Sequence, residues 1–355
     1  MTGSWLGRVA AGAPAPVFPL VGRGARRHVR DLLGRDEIDL VASPRHATVL
    51  LMAGQIPVAW DGFTDRVHDQ LPHPRIVVHA PWDPGDLVED LVAAHHAVMT
   101  GTTASTPPRG PATAPVDWKG VGPHGQGGKG MMGGTPYGRP MAMTGEDLRD
   151  GLQLDLVGVR IGPFLAWWWP PGLLLDLRFQ GDLIVKAEVA DARPFAQTLD
   201  DAKHMGGTTP PTPAEIVTDT LGAVGHQSLA QRWLACAGPA QRSGLAGRIR
   251  RSVAGFSPGT GRSDVDGRDL RQRMTEWVRL ATIDTPTSPS TPLDDPPPLS
   301  GAAAVGHLPV LLAGLTWREA AVTIASLGLD LSEPGPGTAP DVDDAVSATA
   351  LEAPG

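Results

Sequence analysis

Apolar residues in this chain fall in short runs whose spacing changes twice along its length. Glu37–Ala42 and Ala47–Ala53 are runs of β character bracketed by turn residues, which predicts two strands. Ser43-Pro44 lies between them as a turn signal, because proline presets its own φ and pushes the preceding residue to extended geometry. Arg75–His79 predicts a third strand. Asp61–Leu71 predicts a helix with Asp61 as its N-cap, stopped by Pro72-His73-Pro74, and Pro84–Met99 predicts a second. Upstream, Gly12–Pro19 reads as loop and Arg26–Leu33 as a short helix. Strand, loop, strand, helix, strand, helix is the rhythm of an α/β domain with a short parallel sheet.

Beyond residue 150 the pattern becomes antiparallel and then helical. Leu154–Val159 and Leu173–Phe179 read as strands, Gln180-Gly181-Asp182 as a tight turn, and Leu183–Val189 as the return strand. Pro213–Leu221, Gln227–Ala237, Gln241–Ala254 and Gly267–Ala281 have helical period. Thr316 with Glu319 three residues later is a capping box opening a further helix. The fold class expected is an α/β N-terminal domain followed by a small antiparallel β-sheet plus helices (α+β).

Composition sets the segmentation. The 355 residues include 44 glycines and 36 prolines, roughly twice the usual combined share. The expected divisions are an α/β domain over 1–100, a Gly/Pro-rich linker over 101–150 and a β-hairpin plus helical domain over 151–283. A proline-rich linker over 284–300, a C-terminal helix over 301–331 and a disordered tail over 332–355 follow. The net charge of −8 gives the molecule no general attraction for nucleic acid. Arginines cluster at Arg23–Arg30 and Arg248–Arg251 without interleaved aromatics, and read as solvated basic faces or helix ends. The single cysteine, Cys236, excludes an internal disulfide framework and a Cys-rich zinc site. It shares an apolar helix face with Leu229 and Trp233, and reads as a small buried hydrophobe. No signal segment opens the chain, and no apolar run reaches the roughly 18 residues of a membrane span. The expectation is a cytoplasmic protein without a direct membrane span, with peripheral attachment at the inner face of the plasma membrane left open.

Three elements then occur in a telling order: Ala42-Ser43-Pro44-Arg45-His46-Ala47, Leu51-Met52-Ala53-Gly54, and Asp69-Gln70-Leu71-Pro72-His73-Pro74-Arg75-Ile76-Val77-Val78. On these, residues 37–100 resemble the small iron–sulfur subunit of respiratory complex I and of membrane-bound, energy-converting hydrogenases. Gly162-Pro163, Pro171-Gly172-Leu173-Leu174-Leu175 and Gln180-Gly181-Asp182-Leu183-Ile184 resemble the opening sheet of the large partner subunit, which carries the quinone pocket or the nickel–iron centre. Such a cluster is held by cysteine thiolates. Here His79-Ala80-Pro81-Trp82-Asp83-Pro84 stands at the cysteine-bearing loop, and the other ligand positions also lack thiols. The large subunit's histidine–glycine loop is replaced by Trp167-Trp168-Trp169-Pro170-Pro171.

The resemblance therefore implies a degenerate small-subunit domain fused to a truncated large-subunit domain. It implies no cofactor and no catalytic residue, with Arg45, His46, Pro81 and Trp82 at the family's loop positions. The corresponding function is that of a structural accessory subunit in an NADH–quinone-oxidoreductase-like or energy-converting-hydrogenase-like complex. Its partners would be the membrane-embedded and peripheral subunits of that assembly.

Other residue patterns point elsewhere. His46 and His79 flank the same strand ends and, with Asp83, are the candidate ligands of a metal-dependent redox enzyme or carrier; two histidines alone are too few. His95-His96 suits a helix end. His124 with Met131 and Met132 offers soft ligands in a glycine-rich loop. Gly125–Gly130 lacks the Ser/Thr and the context of a phosphate-binding loop. Trp167, Trp168 and Trp169 on an extended segment would alternate in direction, so at least one would be exposed or covered by a neighbour. They are the candidate interface residues, and a stand-alone interaction module is the further alternative.

Overall fold

The computed structural model describes residues 5–22, 24–80, 86–110, 143–146, 153–190, 211–255, 268–283 and 301–329. The glycine-rich segment with His124, Met131 and Met132, the positions Pro81, Trp82 and Asp83, the proline-rich segment 284–300 and the tail 332–355 lie outside them.

The N-terminal part is α1 (Trp5–Ala11), β1 (Ala15–Val21), α2 (Arg26–Asp31), β2 (Ile38–Leu40), β3 (Val49–Ala53), α3 (Asp61–His68), β4 (Ile76–Ala80) and α4 (Leu87–Thr100). Its four strands form a parallel sheet in the order β2-β1-β3-β4. The central strand β1 covers residues that read as loop from sequence. Pro16 and Pro19 give that impression, since proline lacks the N–H a ladder needs. Both prolines sit where no ladder bond is required. Ala15 and Val17 bond towards β2, and Pro16 accepts from Thr48 on the β3 side. The missing N–H of Pro16 thus faces β3 one residue before that pairing starts at Val17–Val49. The missing N–H of Pro19 faces β2 beyond its last pair, Val17–Leu40.

Both faces of this sheet are buried, as parallel sheets require. Phe18, Leu20, Ala47, Leu50 and Leu71 pack on one face. Val17, Val49 and Leu51 open on the other face a cluster that continues without a break into the C-terminal half. His95 is part of this packing and stands inside α4, not at its end. Its Nε2 lies 3.1 Å from the Ala10 carbonyl, which can only accept, so Nδ1 accepts from Thr48 Oγ1 at 2.8 Å.

The second half contains β5 (Met143–Glu146), β6 (Gln153–Ile161), β7 (Leu175–Gln180) and β8 (Leu183–Val189), an antiparallel sheet in chain order. Helices α5 (Pro213–Ala223), α6 (Gln227–Leu234), α7 (Pro239–Ala254), α8 (Leu270–Thr282), α9 (Leu308–Leu312) and α10 (Trp317–Ser326) follow. Capping boxes open α5, α8 and α10, through Thr212/Glu215, Asp269/Gln272 and Thr316/Glu319. The β8 edge is closed by the segment before α10: Ile184 N–H donates to Leu315 O and Gly314 N–H to Ile184 O. The chain is thus α/β with a parallel sheet, followed by an antiparallel sheet and helices. No helix among the described residues is long and apolar enough to cross a membrane.

Candidate functional site

In a doubly wound sheet, ligands bind outside the carboxyl ends of the strands where the strand order reverses. Here that point lies between β1 and β3, since the chain goes from β1 to β2 on one side and returns to β3 on the other. The two strand ends are drawn tightly together. Gly22 N–H donates to Ala53 O at 2.7 Å, and a Cβ at Gly22 would stand 2.5 Å from the Gln55 carbonyl oxygen. Only glycine allows this approach.

The elements on either side of the crevice are linked by a later part of the chain. The segment from Gly162 to Leu173 touches the turn after β3 and the helix after β1. Phe164 packs edge-on against Trp60, with ring centroids 5.5 Å apart. Arg26, at the start of α2, donates to Trp168 O at 3.2 Å. Gly162 holds the segment close, with φ of +100° and a Cβ position only 2.0 Å from Leu173 O.

All three tryptophans are buried. Of the two expected outcomes, exposure is not found and cover by neighbouring parts of the fold is; the extended backbone expected there is corrected to a series of turns. Trp167 lies on Gly222, whose Cβ would stand 2.4 Å from the indole. Trp169 Nε1 donates to Leu173 O at 2.9 Å, and its ring leans on Trp168 and Trp317.

Beside this segment stands a buried ion network. Arg26 and Arg30, four residues apart, lie on one face of α2; Glu215 and Asp219, at the same spacing, lie on one face of α5. Asp219 is fully buried and accepts from Arg30 Nε at 2.8 Å, Arg30 Nη2 at 2.5 Å and Arg26 Nη2 at 2.9 Å. Arg26 Nη1 also donates to Leu329 O at 2.6 Å, tying in the C-terminal segment. Glu215 receives Arg27 at 3.0 Å and stands 3.3 Å from Arg30. Burial works against its charge, but Arg30, the Thr212 N–H and Arg27 outweigh it and hold the carboxyl below its ordinary range. This network is the part of the site that sequence reading missed. The matched i, i+4 spacing of two arginines and two acids was the available signal.

A second polar cluster lies between α3 and β4. His68 is fully buried, its Nδ1 2.8 Å from Asp69 Oδ1. Burial lowers the His68 pKa, partly offset by Asp69. Burial raises the Asp69 carboxyl, but the N–H groups of Arg109 and Gly110 and the His68 ring prevail and bring it to about 2. The guanidinium of Arg75 turns inward to the carbonyls of His68, Leu71 and Thr106. These residues fix the segment 103–110 against the fold.

Of the positions expected from sequence, Arg45 and His46 lie exposed in the turn before β3. His79 pairs with Met52 near the far end of β4. His46 thus precedes the start of β3, while His79 is level with its fourth residue, about 10 Å further along at ~3.3 Å per residue. The proposed His46–His79 metal pair is corrected on this ground: the two flank opposite strand ends. No group of three or more His, Cys, Asp or Glu among the described residues is placed to hold a metal. Cys236 follows the end of α6 half-exposed, its Sγ on the Arg232 carbonyl, and not buried in a helix face. Comparison with protein-family models, curated proteins and solved structures gives no match to this chain.

Proposed function

We propose that this chain is a cofactor-free structural subunit of an assembly built like complex I or an energy-converting hydrogenase. One observation carries the reading: Phe164 and Trp168 tie one segment to Trp60 after β3 and to Arg26 after β1, the two sides of the crevice at the carboxyl edge of the parallel sheet. An electron conduit would need thiolates there, and the only cysteine of the chain lies at position 236, beyond α6. The fused order of a parallel-sheet layer and an antiparallel sheet supports the same reading. A bridged crevice and a buried ionic joint give a shape that partners can build on. The role is docking and spacing, with the α/β layer standing where an active subunit would pass electrons.

The test is affinity isolation of the tagged chain from its native cell, with mild detergent, followed by mass spectrometry and iron and labile-sulfide analysis. Membrane-embedded, proton-translocating subunits should co-purify, and the chain itself should carry no stoichiometric iron. A chain that elutes alone refutes the assembly. A cluster-type absorbance that persists in Cys236→Ser refutes the cofactor-free assignment.

A further inference from the structure

Helix α7 carries positive charge that nothing in the described structure neutralises. From Gln227 to Gly255 the chain has five arginines and no aspartate or glutamate, in a molecule whose net charge is −8. Some exposed cations elsewhere have carboxylate partners, Arg160 with Asp176 at 2.6 Å, Arg279 with Glu276 at 2.5 Å, and Lys186 with Glu188, while Arg35, Arg45 and Arg178 are exposed single cations on separate elements; α7 differs in gathering three on one helix. On α7, Arg248, Arg250 and Arg251 are exposed. Arg250 has a long bond to Ala246 O at 3.4 Å, and no ion pair joins any of the three among the described residues. Like charges at this spacing weaken a helix. The helix dipole accounts for one cation in the last turn, Arg251, and not for the cluster.

The shape of the face narrows the partner. Ala246, Ile249 and Val253 are buried against the core, so α7 has no free apolar side to insert anywhere. At about 100° per residue, Arg251 points away from Ile249 while Arg248 and Arg250 flank it, a fan over the outer half of the helix. The ridge between them is low. A Cβ at Gly244 would meet nothing within 4 Å, and one at Gly247 would meet only the Arg251 guanidinium at 3.6 Å. Neither glycine has positive φ, so packing and backbone do not require them. A low ridge rimmed by long, flexible cations fits a plane of anionic groups. It lacks the aromatics that stack single-stranded bases, and its fan is broader than one line of duplex phosphates.

We propose that the outer face of α7 docks on an anionic phospholipid surface, held by the headgroup phosphates without insertion. This inference does not depend on the function proposed above.

The test is co-sedimentation of the full chain with vesicles of phosphatidylcholine alone or with added phosphatidylglycerol. Binding should appear only with the anionic lipid, and be lost in about 1 M salt, where screening acts within about 3 Å. The triple variant Arg248→Gln, Arg250→Gln, Arg251→Gln should bind about a hundredfold more weakly, with an unchanged circular dichroism melt. Lysine at the same three positions should restore binding, since the plane is read by charge. Equal binding to neutral vesicles overturns the proposal, as does equal binding by the glutamine variant. Tighter binding to a DNA duplex than to anionic vesicles at the same salt also overturns it.

Discussion

Replacing Asp219 by alanine removes the acceptor shared by two guanidinium groups. In the native fold Asp219 takes three hydrogen bonds, two from Arg30 and one from Arg26, and has no exposed surface. Without it Arg30, only 3 % exposed, keeps Glu215 at 3.3 Å but loses its bidentate partner. Removing one member of a buried pair costs about 3–5 kcal/mol, because the other charge stays buried with part of its hydrogen bonding lost. At about 2.1 cal/mol/K per residue, for 355 residues that is a fall in melting temperature of roughly 4–7 °C. Urea unfolding followed by tryptophan emission measures it directly, since Trp167, Trp168 and Trp169 lie beside the network. The double replacement Arg30→Met with Asp219→Leu should recover at least half of the loss, since a packed apolar pair needs no desolvation of charge. A loss below about 1 kcal/mol for Asp219→Ala, as for an exposed ion pair, would refute the argument that α2 and α5 are joined by charges out of water.

Four further outcomes follow from other sites. The Asp69 carboxyl is depressed from 3.8 to about 2, so its contribution is complete above pH ~4 and is lost as the pH falls through ~2, about 2 kcal/mol in all; Asp69→Asn should flatten that acid limb in a pH series of urea midpoints. Gly222→Ala drives a methyl into the Trp167 indole and should cost about 1–3 kcal/mol, whereas Gly244→Ala meets open space and should stabilise by roughly 0.5–1 kcal/mol, both read by thermal melts. Gly162→Ala places a methyl against Leu173 O at positive φ and should destabilise by more than about 2 kcal/mol, with a red shift of tryptophan emission as the segment loosens. Thr212→Ala breaks the capping box of α5 and should cost about 1 kcal/mol in the same unfolding assay.

The strands β2, β3 and β4 were legible because each is a short apolar run ended by turn residues, and the hairpin β7–β8 because Gly181 marks its turn. β1 was not. Its two prolines suppress a strand reading, and their harmlessness depends on which side of the strand each missing N–H faces. That is a property of the pairing partners and not of the local sequence. The tryptophan run misled for a related reason: alternation of side chains holds for extended backbone, and Gly162, Gly172 and their neighbours bend this segment into turns. The ion network was half legible. Arg26, Arg30, Glu215 and Asp219 show their i, i+4 spacing, but nothing local says that α2 meets α5 across 189 residues. His46 and His79 failed as a pair because proximity to the same strands does not fix which end of them a residue occupies.

That long separation bears on how the chain is made. Arg30 leaves the ribosome 189 residues ahead of Asp219, an interval of about 10–40 s at about 5–20 residues per second. Arg26 waits longer still for the carbonyl of Leu329, 303 positions downstream. During synthesis the first sheet therefore exists with its α2 side uncovered and sticky, and a nascent-chain chaperone or a partner already in place would have its opportunity in that window.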